Sequence, residues 1–147
     1  MAWGDVDFLI LDLPPGTGDI QLTIVQTAEL DGVVVVTTPQ EVALIDARKA
    51  IGLFERVETP ILGIIENMSY FQCPSDGKIY HIFGEGGGER EAAKLGVPLL
   101  GKIPLDISTR SGGDEGRPVA LEDPGQNPVS AAFRQVAEQC ARVVLDR

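Results

Sequence analysis

The feature that most limits how this chain can fold is the texture of its apolar residues. Four short runs, "DFLILDL" (7–13), "GVVVVTT" (32–38), "PILGIIENM" (60–68) and "VPLLGKIPL" (97–105), are nearly unbroken in Val, Ile and Leu. A strand with one wet face alternates apolar and polar residues, whereas unbroken runs suit parallel strands covered on both faces. Helical stripes lie between the runs. Ile20, Ile24 and Ala28 recur on one face behind Asp19, which is placed to cap a helix. Ala43, Ala47, Ala50, Phe54 and Val57 form a second stripe that stops at Pro60, and 89–95 forms a shorter helix before Gly96. Val129, Phe133, Val136, Cys140 and Val144 share the face of a closing helix. Strands alternating with helices predict α/β architecture, a doubly wound, mostly parallel sheet of about four strands with flanking helices. At 147 residues, the chain suits a single domain over 1–147 with a core of its own.

Charge and composition exclude several function classes. With 22 acidic and 12 basic residues the formal charge is −10, a surface that repels phosphate backbones, so no nucleic-acid partner is expected. No apolar run approaches the length of a membrane span, so no membrane partner is expected either. The opening "MAWGDVD" lacks the basic and apolar regions of a secretory signal. Cys73 and Cys140 are far apart and make no disulfide framework, which favours the reducing cytoplasm.

Two connections exceed what such a fold needs, 69–85 and 108–126. Long connections tend to be functional or mobile. The second reads as a solvated insertion; the first carries Cys73, the lone His81 and several aromatic rings, an odd mixture for a spacer.

The stretch "FLILDLPPGTGDIQ" has the outline of a strand entering a glycine loop that opens a helix. A phosphate loop requires G-x-x-x-x-G-K-[ST], in which backbone amides face the phosphates, lysine spans β and γ, and the hydroxyl holds Mg²⁺. None of Lys49, Lys78, Lys94 and Lys102 is followed by Ser or Thr, so the pattern does not occur. The dinucleotide fingerprint fails as well, because Gln21 stands at its third glycine, and "GEGGGE" (84–89) follows no strand and carries acids that disfavour phosphate. A different part of a nucleotide site does fit: an apolar strand ending in Asp12, whose carboxylate would hold Mg²⁺ directly or through water. Gly16 would then offer its amide to a γ-phosphate. The residues alone equally allow a plain strand-to-helix turn, with Asp12 at a sheet end and Asp19 as cap.

The whole set of motifs adds to this. "DLPPGTGD", "VVVVTTPQEVALIDARKAI", "GIIENMSYFQCP" and "IFGEGG" resemble the Mrp family, MinD-like ATPases also called ApbC-type and associated with iron–sulfur cluster carriage. The resemblance covers about 3–119 and corresponds to the later part of the family's P-loop NTPase-like domain, without the phosphate loop. It implies ATP with Mg²⁺ as ligand, Asp12 as the Walker-B-type aspartate, and Gly16 with Gly18 as the segment that senses the γ-phosphate. Asn67 would read the adenine edge, an amide offering both donor and acceptor, and Pro104 would pack along the adenine. Relatives carry C-P-x-C in the first long connection, and one pair from each of two subunits binds a bridging cluster. Here Cys73 is kept, but Asp76 stands at the second cysteine, a harder and poorer donor for iron–sulfur cargo.

The resemblance thus implies an ATP-binding iron–sulfur cluster carrier that does not hydrolyse ATP by this chain alone, with iron–sulfur client proteins as partners. The alternative is a non-catalytic interaction or dimerisation domain. An AAA-type ATPase is disfavoured by Asp19 and Ile20 where lysine and a hydroxyl belong. A sheet short of a strand exposes an edge and an apolar face, so a homodimer or higher self-association is expected. Cys140 reads as a core residue, His81 as an ordinary polar residue, and "GEGGGERE" as a glycine-driven turn into a helix.

Overall fold

The computed structural model describes residues 2–14 and 18–146. In chain order the elements are α1 (Asp19–Thr27), β1 (Val33–Thr37), α2 (Glu41–Arg56), β2 (Ile61–Glu66), β3 (Phe71–Gln72), β4 (Ile79–Tyr80), α3 (Gly87–Leu95), β5 (Leu99–Lys102), α4 (Ile107–Asp114), a 3₁₀ turn (Val119–Leu121) and α5 (Pro128–Leu145). β1, β2 and β5 form a parallel sheet in the order β1-β2-β5, and β3 and β4 form a separate antiparallel hairpin.

The sheet forms where the aliphatic runs can be covered. Val33 pairs with Ile61 and Thr37 with Glu66, while Ile64 pairs with Leu99 on the other side. α2 packs on β1, α3 on β2, and α5 on β5 and β2. Val35, Ile51, Ile64 and Ala92 make the buried centre, flanked by Ala47, Leu95 and Leu99. Gly101 lets α5 approach closely: a Cβ there would lie 2.5 Å from Val136 Cγ2. Local signals start and stop the helices. Asn127 Oδ1 accepts from the Val129 amide at 2.8 Å at the start of α5, with Pro128 in the first turn, and Gly96 ends α3 at φ 67°. Arg48 of α2 grips the buried Glu91 of α3 through Nε and Nη2 at 2.8 and 2.6 Å, and Lys94 adds a third bond at 2.8 Å.

Several expectations are corrected. The parallel sheet has three strands among the described residues, because 7–13 forms none. Phe8, Leu9, Ile10 and Leu11 are exposed, Ile10 at 87%, and have no ladder partner among the described residues. Asp19 is the first helical residue of α1, and the cap position belongs to Gly18. The buried residue of α1 is Gln21, not Ile20, because the Gln21 side chain turns back to donate to the Pro14 carbonyl at 2.6 Å. In α2 the inward stripe is centred on Leu44, Ile51 and Phe54, with the alanines at its margin. The connection 69–85 holds the β3–β4 hairpin, and 108–126 holds most of α4 and the 3₁₀ turn, so neither is a bare loop.

Candidate functional site at the carboxyl end of the sheet

Strand β2 ends in a carboxylate. Glu66 is fully buried; its Oε1 accepts from Ser69 Oγ, and its Oε2 accepts from the Gly88 amide at 2.6 Å at the start of α3. The next residue, Asn67, extends the ladder by donating its amide to the Thr37 carbonyl at 2.7 Å. Its Oδ1 accepts from the Met68 amide at 2.9 Å, which supports Met68 at φ 52°, an unusual angle for a residue with a side chain. Asn67 Nδ2 has no protein partner among the described residues.

Beyond this turn the chain runs beside the end of β5. The Ile103 amide donates to the Glu66 carbonyl at 2.9 Å, Ser69 donates to the Ile103 carbonyl at 2.9 Å, and Leu105 donates to the Tyr70 carbonyl at 2.7 Å. A parallel bridge between Phe71 and Leu105 continues the pairing. Pro104 is buried between these donors and needs no partner for an N–H it lacks. Asn67 and Pro104 therefore both lie at the carboxyl end of the parallel strands, where open α/β sheets present their ligand sites.

The β3–β4 hairpin leaves from the same place and carries the cysteine. Phe71 faces Tyr80, and the turn closes with the Cys73 amide on the Lys78 carbonyl and the Gly77 amide on the Cys73 carbonyl, both 2.8 Å. Gly77 at φ 71° supplies the left-handed residue the turn needs. Cys73 Sγ lies 3.0 Å from Ser75 Oγ. That hydroxyl, followed by the amides of Ser75 and Asp76, pulls the Cys73 thiol below its ordinary range, while the Asp76 carboxylate opposes the shift. Asp76 is itself held low, first by the Lys78 amide at 3.0 Å and then by its bond with the Cys73 thiol. Cys73 and Asp76 thus share one turn, and the thiolate is the form of cysteine that binds metals. Among the described residues no group of three or more His, Cys, Asp and Glu side chains is placed to hold a metal ion.

The glycine run before α3 is a packing device. Gly86 adopts φ 67°, a Cβ on Gly87 would lie 2.6 Å from the Pro39 carbonyl oxygen, and one on Gly88 would lie 3.1 Å from both Cβ and Oε2 of Glu66.

The phosphate-side positions are not gathered here. Asp12 is exposed on the unpaired stretch, so it does not sit at a strand end as expected. Gly18 caps α1, and Gly16 lies outside the described residues. His81 is engaged locally, Nε2 3.6 Å from Glu85 and Nδ1 3.4 Å from the Ser69 carbonyl oxygen. Cys140 is half-buried in α5, and burial pushes its thiol up. Sequence reasoning missed Glu66, Ser69, Ser75 and Gly88. The signal for the first was an acid closing the run "ILGIIE", where a solvated charge has no place.

A parallel sheet with flanking helices, and a turn-and-hairpin site at its carboxyl end, defines an α/β protein with a ligand site at its strand ends. Two solved structures share the architecture. One is a nucleotide-binding protein from Archaeoglobus fulgidus in complex with ADP, 45% identical with a TM-score of 0.71, covering 79% of this chain and 48% of that one. The other is the cell-division ATPase MinD of Pyrococcus furiosus, 26% identical with a TM-score of 0.70, covering 93% of this chain and 52% of that one. The chain belongs to the ParA family described as NUBPL iron-transfer P-loop NTPase, whose model matches residues 1–141. An iron–sulfur cluster carrier protein of Pyrococcus furiosus is 51% identical over 139 residues, 95% of this chain and 46% of its own length. The chain thus spans about half the length of the curated relatives it matches. No helix among the described residues is long and apolar enough to cross a membrane.

Proposed function

We propose that this chain handles an iron–sulfur cluster as cargo, with Cys73 as the principal donor and Asp76 as a weak second one. The observation that carries the reading is the turn 73–78, which places the Cys73 thiol, 3.0 Å from Ser75 Oγ, in one tight turn with the Asp76 carboxylate on the hairpin at the carboxyl end of the sheet. Half identity to iron–sulfur cluster carrier proteins supports it. A cluster held by protein takes four donors, and each copy offers two here, so two copies meet around the cargo. Two thiolates and two carboxylates make a soft–hard set that holds iron loosely, which suits delivery to iron–sulfur client proteins in a reducing cytoplasm.

Asn67 and Pro104 fit the adenine side of a nucleotide, since Asn67 Nδ2 has no protein partner among the described residues. The triphosphate and its Mg²⁺ do not fit the described residues by themselves. Asp12 stands off the sheet, and the sequence holds no glycine loop with lysine before Ser or Thr. Asp12, Gly16 and Gly18 are phosphate-side positions that act only with such a loop. A second reading, an interaction domain without cargo, is favoured by the exposed side chains of Phe8, Leu9, Ile10 and Leu11.

Anaerobic reconstitution with ferrous iron and sulfide tests the cargo. A sulfur-to-iron charge-transfer band that Cys73→Ala abolishes and Asp76→Cys strengthens is the expected result. A folded protein that gives no band, or a band indifferent to Cys73→Ala, leaves the interaction domain as the better reading.

A further inference from the structure

We propose that Glu66 is a positioning residue that ties the Asn67 turn and the Cys73 hairpin to α3, so that the two parts of the site are held as one body. Its relevance to cargo rests on the cluster-handling reading above; the tie itself does not.

A buried carboxylate is costly unless its oxygens are hydrogen-bonded. Both oxygens of Glu66 are used, and they reach in different directions. One takes the hydroxyl of Ser69, the residue from which the hairpin departs, and the other takes the Gly88 amide in the first turn of α3. The Gly88 amide is one of the first-turn donors that have no partner within the helix, and the side chain supplies one. The backbone carbonyl of the same residue accepts from Ile103, next to Pro104. Glu66 therefore touches the hairpin root, the helix start and the neighbouring strand end at once.

The surroundings are shaped for this contact. Glycine at position 88 gives the carboxylate room, because a Cβ there would sit 3.1 Å from its Oε2 and press on it. Gly87 in turn lies against Pro39 and Leu44, at the junction of β1 and α2, so α3 offers a rigid anchor. The hairpin is held mainly at its root. Ile79, Tyr80 and Ile82 are exposed, and the hairpin is attached to the body through the strand-end pairings of Ser69, Tyr70 and Phe71. Removing the Ser69–Glu66 bond would loosen the root of the segment bearing Cys73 while leaving the sheet intact.

The test uses amide hydrogen exchange on the whole chain, with Ser69→Ala, Glu66→Ala and Glu66→Gln. Ser69→Ala cuts only the hairpin arm, and exchange over 69–82 is expected to rise about tenfold, with β1 and β2 unchanged. Glu66→Ala is expected to loosen both 69–82 and the first turn of α3. Glu66→Gln restores wild-type exchange in both, because the amide oxygen accepts from Gly88 and the amide nitrogen donates to a reversed Ser69 hydroxyl. In reconstituted protein, Ser69→Ala should also release iron to a chelator several-fold faster, and Glu66→Gln should not. The expected exchange pattern supports the tie even if the wild type forms no cluster, an outcome that would count against the cargo reading alone. Should Glu66→Ala fail to fold, Ser69→Ala and Glu66→Gln still decide. Wild-type exchange over 69–82 in Ser69→Ala, or no rescue in a folded Glu66→Gln, overturns the proposal.

Discussion

The stretches 8–11 and 33–36 are equally apolar, "FLIL" and "VVVV", yet only the second pairs into a sheet. The valines join β1 and pair with β2; Val35 enters the buried centre under α2, while Val36, on this edge strand, stays 60% exposed. The other four side chains are exposed, Ile10 at 87%, and join no strand among the described residues. Sequence texture is the same in both, so the difference lies in neighbours. An unbroken apolar run states that two covered faces are needed; whether it forms a strand depends on a ladder partner and a layer above and below.

The largest expected effect comes from exchanging damage between these regions. Ile64 is fully buried in the core, and Ile64→Ala should destabilise the fold by about 2–5 kcal/mol. Ile10 is 87% exposed, and Ile10→Asp should shift stability by less than about 0.5 kcal/mol. The same Ile10→Asp should lower the apparent mass of the protein in concentrated solution, since the exposed strip favours self-association. Denaturant midpoints and light scattering together decide. If Ile10→Asp unfolds the chain as Ile64→Ala does, the stretch is packed after all and the contrast collapses. A wild type that stays monomeric at high concentration removes the self-association.

A medium-sized effect sharpens the description of the packed side. The Arg48 guanidinium, with help from Lys94, holds the buried Glu91 carboxyl down at about 2, against an ordinary 4.5. A depressed acid stabilises the fold above its unfolded value and loses that contribution as pH falls through the folded one. The clamp should therefore be fully present above about pH 4.5 and fade between there and about pH 2. Glu91→Gln should cost about 1–3 kcal/mol at neutral pH and flatten the acid limb of a stability–pH curve. An unchanged acid limb would mean that α2 and α3 are held by apolar contact alone.

How much of this was legible beforehand follows from which forces were local. The three paired strands, the helix ending at Gly96 and the closing helix were readable because periodicity and caps are encoded within a few residues. The strand expected over 7–13 failed because pairing is decided by distant neighbours. Asp19 as a cap failed by one position, since α1 starts at Asp19 and Gly18 holds the cap without a side-chain bond. Asn67, Pro104, Cys73 and Asp76 were legible as motif residues, and the fold sets them at one end of the sheet. Glu66 and Gly88 were not, since their meaning is a contact across 22 positions.

The smallest expected effect compares the two thiols, one on each side of the same divide. Cys140 is partly enclosed in α5, and burial raises its thiol. Cys73 lies in an open turn where the Ser75 hydroxyl and two amides lower it. Alkylation followed against pH should show Cys73 reacting at lower pH than Cys140, because the thiolate is the nucleophile. Ser75→Ala removes the largest stabilising bond and should move the Cys73 midpoint up. Asp76→Asn removes a carboxylate that opposes ionisation and should move it down. These opposite signs separate a hydrogen-bonded turn from simple exposure, which would leave both variants at the wild-type midpoint. If both stay there, openness alone distinguishes the two cysteines, and the turn contributes position but no chemistry to the site.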